Sequence, residues 1–432
     1  MNKQYLTYLI FWISCQALFA QTSSDFVTVK DKNFELRGKP YKYIGTNLWY
    51  GMNLGASGTS GNRERLVQEL NQLQQLGLTN LRIMASSEGV DGSYQNTLAL
   101  QTAPGQYNDE MLAGLDFLLS EMGKRNMKAV VCLGNFWMWS GGFAQYVSWV
   151  DGTKTPYPEI EDGGTWDPFI QYAQSFYTNP KAMQMYYDHI EFIINRTNTI
   201  TGKKYKEDPV IMAWQLSNEP RGYDSVKEYR KWVKKSARFI KSMDKNHLVS
   251  IGSEGNASNP RAGIDLYRDN KSRHIDYCTT HIWIQNWSWY QPEKAETFDQ
   301  AVKKTFKYIE DQKAKAQKLN KPMVIEEFGV SRDEGIFEPS ASINFRDRYF
   351  EILFKKVVDE IDANSAIQGC NFWSWGGNEK PNSPGGFWQK GDPLIGDPAH
   401  ERQGWYSIYN TDKSTLKIIE EYTAKLQSKL LQ

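Results

Sequence analysis

Eight short apolar segments, each but the fifth followed by a stretch with helical periodicity, run through most of this 432-residue chain. They occupy residues 42–50, 80–86, 128–135, 210–220, 248–254, 277–283, 322–329 and 367–376. Short strands alternating with amphipathic helices predict βα units and a parallel sheet. Parallel strands are covered by helices, so they read as nearly continuous apolar runs. The helices are predicted over 63–76, 109–126, 181–199, 225–243, 296–318, 344–361 and 413–430. In the second of these, Met111, Leu112, Leu115, Leu118, Leu119 and Met122 fall on one face. The stretch after Glu254 has no good helix pattern. The whole predicts an α/β fold: a single (β/α)8 TIM barrel whose enlarged βα loops are 136–180, 285–293 and 377–411. No internal repeat or low-complexity linker marks a second domain.

The first residues read as an export signal: Lys3, a mostly apolar run over 5–19, then Ala20-Gln21 as a cleavage point. Residues 1–20 are therefore expected to be a signal peptide and 21–432 the barrel, with the mature protein secreted, extracellular or periplasmic. Lipidation at Cys15 is the alternative, disfavoured by Trp12 three residues earlier. No later apolar run is long enough to cross a bilayer. Cys132, Cys278 and Cys370 fall in the third, sixth and eighth strands, which are not neighbours. Strands two apart lie roughly 9–10 Å from each other, beyond a disulfide's reach, so buried thiols are expected. No Cys or His spacing resembles a zinc site, and no metal is expected. A net charge of +1 favours neither nucleic acid nor an anionic membrane as partner. A monomer is expected.

The C-terminal ends of barrel strands converge on one mouth. Two strands end in glutamates, in Ser217-Asn218-Glu219-Pro220 and Glu326-Glu327-Phe328-Gly329. Two carboxylates from different strands are the minimum equipment for cutting a glycosidic bond. An acid there needs its pKa raised by burial or by a second carboxylate, and Asn218 can bond a ring 2-hydroxyl. Glu326 and Glu327 are adjacent, so they are expected to face opposite sides of the strand. Only one would reach the mouth, and the alternation around them does not choose. The other would pair with a basic residue under the rim. Arg82, amid apolar neighbours, needs an anionic partner. His281 ends the sixth strand, Asn135 the third, and Trp373 in the eighth offers a flat face for a sugar. Trp137, Trp139, Trp283, Trp287 and Trp289 sit in or beside the enlarged loops, some to line subsites and others to pack.

Arg82, Asn218-Glu219-Pro220, His281, Glu327-Phe328-Gly329 and Trp373, in this order and at these strands, resemble glycoside hydrolase family 5 over nearly the whole mature chain. Within it, Gly45-Thr46-Asn47-Leu48-Trp49-Tyr50, the long third loop and Gln403-Gly404-Trp405-Tyr406-Ser407 are similar to the endo-β-1,4-mannanases. The resemblance implies a cofactor-free retaining endo-hydrolase of mannan, glucomannan, galactomannan and manno-oligosaccharides. Glu219 would be acid/base and Glu327, selected by the Glu-Phe-Gly match, the nucleophile. Asn218 would hold the 2-hydroxyl, Arg82 and His281 would support the carboxylates, and Trp373 would be the sugar platform. Two positions depart from the pattern. Trp283 stands where relatives often have a Tyr bonded to the nucleophile, and an indole donates but does not accept. Asn135 stands where relatives outside the mannanases often carry His. A β-1,4-glucanase of the same fold is the enzymatic alternative, since the carboxylate pair does not read the sugar. An inactive carbohydrate-binding barrel is opposed by the presence of both glutamates.

Overall fold

All eight apolar segments are strands of one parallel sheet in the computed structural model, which describes residues 25–89, 99–158, 160 and 163–430. The expected signal peptide and Cys15 lie outside the described residues. The strands are β1 (Tyr43–Asn47), β2 (Asn80–Met84), β3 (Lys128–Cys132), β4 (Ile211–Gln215), β5 (Leu248–Ser250), β6 (Cys278–Ile282), β7 (Met323–Phe328) and β8 (Ile367–Phe372). Their order is β5-β4-β3-β2-β1-β8-β7-β6, sequential around a ring. Between β5 and β6 the ring is closed by Asp276 N–H to Val249 O at 2.8 Å and His281 N–H to Glu254 O at 3.2 Å.

The outer layer is α1 (Arg63–Gln75), α2 (Asp109–Lys124), α3 (Pro180–Asn195), α4 (Val226–Met243), α5 (Leu266–Asp269), α6 (Phe298–Leu319), α7 (Asn344–Asp362) and α8 (Lys413–Leu430). Local chemistry sets the ends. The Asn108 side chain accepts from Glu110 N–H and Met111 N–H to start α2, and Asn179 accepts from Ala182 N–H while Pro180 opens α3. The fifth unit keeps only the four-residue α5, which is why no periodicity is visible there.

Three features differ from expectation. A small antiparallel sheet, Val27–Lys30, Asn33–Leu36 and Lys39–Pro40, precedes the barrel. Its Val27 and Phe34 pack on Tyr43, Val130, Met212, Leu248, Tyr277 and Val324, and plug the end opposite the mouth. Its strands are short and mostly polar, so they carry little sequence signal. The third loop contains helices Gly142–Asp151 and Asp167–Gln174. Phe143 and Phe176 stack at 4.2 Å there, with Tyr186 and Trp232 edge-on, so much of the aromatic content is packing. Finally, β8 stops at Phe372. The Trp373–Ser374 peptide is cis, and Trp375–Gly377 then pairs with Ile408–Tyr409.

Cys132, Cys278 and Cys370 are buried and unpaired, and burial pushes the Cys132 and Cys278 thiols up to about 12. The eighth loop is tied down by Asp397, which accepts from Gly404 N–H, Tyr406 N–H and the Ser407 hydroxyl. It ends at Asp412, whose carboxylate takes Arg332 at 2.7 Å and Arg346 at 3.3 Å, both guanidiniums fully buried. Removing one partner of a buried ion pair costs about 3–5 kcal/mol. Asp412→Ala is therefore expected to lower unfolding stability by about that much, read from denaturant titration. An unchanged midpoint would mean that other groups carry these charges.

Candidate active site

Beyond β4 the chain crosses toward both neighbouring strands. Asn218 N–H bonds Gly134 O at 2.8 Å and Glu219 N–H bonds Gly252 O at 2.9 Å. Gly252 has φ +81°, and a Cβ there would lie 2.0 Å from Ser217 O. Only glycine lets the end of β5 approach so closely. Glu219 is left at φ +45°, a left-handed conformation that costs a non-glycine residue about 1–3 kcal/mol and concentrates at functional sites.

On β7 the pairing with β6 runs Thr280 to Ile325, then His281 to Glu327. Glu326 is the extra residue of a bulge, which interrupts strict alternation. This corrects the expectation that the two glutamates face opposite sides. Glu327 lines the cleft, whereas Glu326 is wholly buried beneath it and accepts both bonds of Gln215 Nε2, at 2.9 and 2.8 Å. Its basic neighbour under the rim is Arg82, at 3.5 Å.

Arg82 joins these elements. Its guanidinium donates to Glu327 at 2.5 Å, Gln215 at 2.7 Å, Asn218 at 2.8 Å and Asn47 at 3.1 Å. Burial opposes its charge, yet Glu326 and Glu327 raise its pKa further. Asn218 is held from the other side by its Nδ2 donating to Asn135 Oδ1 at 3.1 Å. Asn135 also accepts Trp137 N–H and donates to the Ser140 hydroxyl. It is fully buried and outside the cleft lining, so it acts on Asn218 and the third loop rather than on a ligand.

His281 is equally buried. Its Nδ1 lies 2.7 Å from Glu219 Oε1 and 3.2 Å from Glu327 Oε2, and its Nε2 lies 3.6 Å from Glu326. Burial disfavours the imidazolium, but Glu327, Glu219 and Glu326 outweigh it and hold the pKa well above the usual value. Conversely, burial raises Glu219, but the bond and charge of His281, then Arg221 and the Trp137 N–H, bring it below the usual carboxylate range. The Trp137 indole donates to Glu219 Oε2 at 2.7 Å, and Trp283 to Oε1 at 3.3 Å. Trp283 thus serves Glu219, and its lack of an acceptor is no handicap there. A carboxylate oxygen of Glu219, one of Glu327 and a His281 nitrogen all lie within 4.8 Å of one another. That spacing would also suit a metal ion, but the adjacent Arg82 guanidinium and the charged imidazole oppose a cation.

These groups open into a cleft of about 480 Å³. Glu219, Glu327, Asn218, Trp137, Trp283 and Trp373 line it, with Trp139 and Trp287. Trp289 instead packs on Trp287 and Tyr308. Sequence reasoning passed over Arg221 and Glu254, a bidentate pair at 2.6 and 2.8 Å whose guanidinium stacks 4.8 Å above Trp137. Their positions, directly after Pro220 and at the end of the fifth apolar segment, could have revealed them. His400 and Glu401 also line the cleft, and no signal in the eighth loop marks them. Burial holds His400 neutral, with a pKa lowered to about 3. Burial, with Asp397, Glu327 and Glu219 nearby, holds Glu401 well above the carboxylate range.

A (β/α)8 barrel with paired glutamates at the ends of β4 and β7 is the architecture of a glycoside hydrolase. The chain belongs to glycoside hydrolase family 5: residues 24–430 match the model described as GH family 5 beta-mannosidase-like. It is 30% identical over 385 residues to mannan endo-1,4-beta-mannosidase 1 of Arabidopsis thaliana, covering 85% of this chain and 86% of that protein. It is 31% identical over 371 residues to the enzyme of the same name from Solanum lycopersicum, covering 83% and 85%. The crystal structure of a family 5 mannosidase from Rhizomucor miehei superposes with a TM-score of 0.85 at 38% identity, over 94% of this chain and 99% of that one. The endo-1,4-beta-mannanase of the same fungus, at 24% identity and TM-score 0.68, shares the fold, over 93% of this chain and 99% of that one.

Arg82→Lys keeps the charge but not the fork. It is expected to lower kcat/KM by about 100-fold, the scale of a misplacement of about 1 Å, with KM changing less than kcat. Equal activity would show that charge alone suffices.

Proposed function

We propose that this enzyme hydrolyses β-1,4-mannosidic bonds of mannan, glucomannan and galactomannan with retention of configuration. The closeness of the two carboxylates, one oxygen of Glu219 lying within 4.8 Å of one oxygen of Glu327, carries the reading. Retaining pairs stand about 5–5.5 Å apart, whereas inverting pairs leave about 6.5–9.5 Å for a water. Glu327, fixed by Arg82, attacks the anomeric carbon. Glu219 protonates the leaving oxygen and then takes a proton from the incoming water. Asn218 meets the 2-hydroxyl, and Trp373 is the platform under the sugar. The names of the plant relatives and of the fungal mannosidase support mannose as the sugar. Glu219→Ala is expected to lose about 10²–10⁴-fold on mannan, the worth of a general acid, and far less on a dinitrophenyl β-mannoside, whose leaving group needs no proton. Glu327→Ala should be inactive on both. Release of sugar from carboxymethyl-cellulose but not from mannan would replace the mannanase reading by the glucanase one.

The proton for the first step is held by His281, 2.7 Å from Glu219 Oε1. Its raised pKa means that the proton is present below that value and lost as pH rises through it. The alkaline limb of kcat/KM is therefore expected above the ordinary imidazole value of 6.5. In His281→Gln the proton must reside on Glu219 itself, so the limb should move to lower pH and kcat should fall. An unmoved limb would rule this out.

The plant relatives are named for attack within chains, and we adopt that reading first. A second reading, removal of mannose from chain ends, is favoured by Glu401 and His400. Both are neutral and face the cleft, and Glu401 Oε2 and His400 Nδ1 lack partners among the described residues, an arrangement suited to a terminal sugar's hydroxyls. Products from end-labelled mannohexaose decide: mannobiose and mannotriose early in the reaction for internal attack, mannose alone for chain ends.

A further inference from the structure

Charge is unevenly spread outside the cleft. The whole chain carries +1, yet α4 holds seven lysines and arginines against one acid, Glu228, in 18 residues. Arg230, Lys234 and Arg238 are four positions apart, so they stand about 6 Å apart along one helix face. They form one wall of an open groove of about 690 Å³, and Arg268, Lys271, Arg273 and His274, in and after α5, form the other. Asp269, the carboxylate of the lining, is buried and taken up by Arg230 at 2.7 Å. Among the described residues no salt bridge neutralises Lys234, Arg238, Arg268, Lys271 or Arg273. Residues 270–276 lead into the N-terminal end of β6, so the groove lies on the barrel's flank, away from the mouth.

We infer that this groove is a second, non-catalytic binding site for an acidic polysaccharide, whose uronate carboxylates pair with Lys234, Arg238, Arg268 and Arg273. Unpaired cations on both walls of a trough fit a strand with a charge on each unit. The groove lining contains none of the exposed large apolar side chains that would insert into a bilayer. The neighbouring ring of Tyr267 is engaged by Lys271 and Lys318 at 4.7 and 4.8 Å, so it is not free to stack a base. The choice of a glycan among polyanions rests on the reading of the cleft as a polysaccharide site.

The test is affinity electrophoresis of the full chain through gels containing polygalacturonate or neutral galactomannan, at low and high salt. Wild type should be retarded by polygalacturonate, with retardation falling steeply as salt rises. The triple variant Lys234→Glu/Arg238→Glu/Arg273→Glu should bind polygalacturonate at least about tenfold more weakly, since it reverses three contacts that are each salt-sensitive. Its rate on soluble neutral mannan should be unchanged. The milder Lys234→Gln/Arg238→Gln pair should show an intermediate loss if the charge-reversed protein fails to fold. If only the mannan reading is wrong, both proteins are inactive on mannan and the difference in retardation persists. Equal retardation of wild type and variants, or tighter binding to phosphatidylglycerol vesicles or single-stranded DNA than to polygalacturonate, would overturn the inference.

Discussion

A guanidinium buried at the centre of a barrel is expensive unless every face of it is satisfied, and Arg82 organises the mouth by meeting that demand. Its partners come from β1, the end of β4 and β7: Asn47, Gln215, Asn218 and Glu327. Those partners are in turn bonded to one another. Gln215 holds Glu326, Asn47 donates to the Glu326 carbonyl at 3.0 Å, and Asn218 rests on Asn135. One charge thus sets the positions of a carboxylate, an amide and the strand ends that carry them.

The charge balance around it explains the proton. Among the described residues, Glu219, Glu326 and Glu327 face only Arg82 and His281 as direct cationic partners. Three ionised carboxylates would leave an excess negative charge in a buried site, which low dielectric makes costly. The imidazole therefore stays protonated while it touches two carboxylates. Trp137 and Trp283 add indole donors on the Glu219 side, and the Arg221–Glu254 pair stiffens Trp137 from above. The same low dielectric keeps His400 and Glu401 uncharged across the cleft.

What could be read from the sequence followed from periodicity. Continuous apolar runs marked all eight strands, because a strand buried on both faces has no polar alternation to blur it. One-sided helices were equally clear, except after the fifth strand, where only the four-residue α5 forms. The sheet that plugs the barrel was not visible, because its short strands bury little beyond Val27 and Phe34. The glutamates at 219 and 327 stood out by their position at strand ends. The placement of Glu326 did not, because a bulge is a property of how two strands pair, here β6 with β7, and leaves no trace in one strand's own pattern. Arg221 and Glu254 were passed over, since their pairing joins the ends of two different strands and leaves no mark in either segment alone. His400 and Glu401 lie in an irregular loop, positioned by the Asp397 hub, and nothing in linear spacing announces that.

The glycine at 252 lies outside the cleft lining and carries no functional group, yet the approach of β5 to Ser217 and the bond that orients Glu219 both depend on its missing side chain. A map of inactivating substitutions would therefore reach past the cleft walls into a position that looks like ordinary scaffold. Such a lesion would present as a chemical defect in a protein that still folds, because the barrel can keep its strands while the carboxylate turns away. A backbone constraint of this kind limits which loops can be exchanged: a transplanted segment must leave the strand end short enough, and bare enough, for its neighbour to pass.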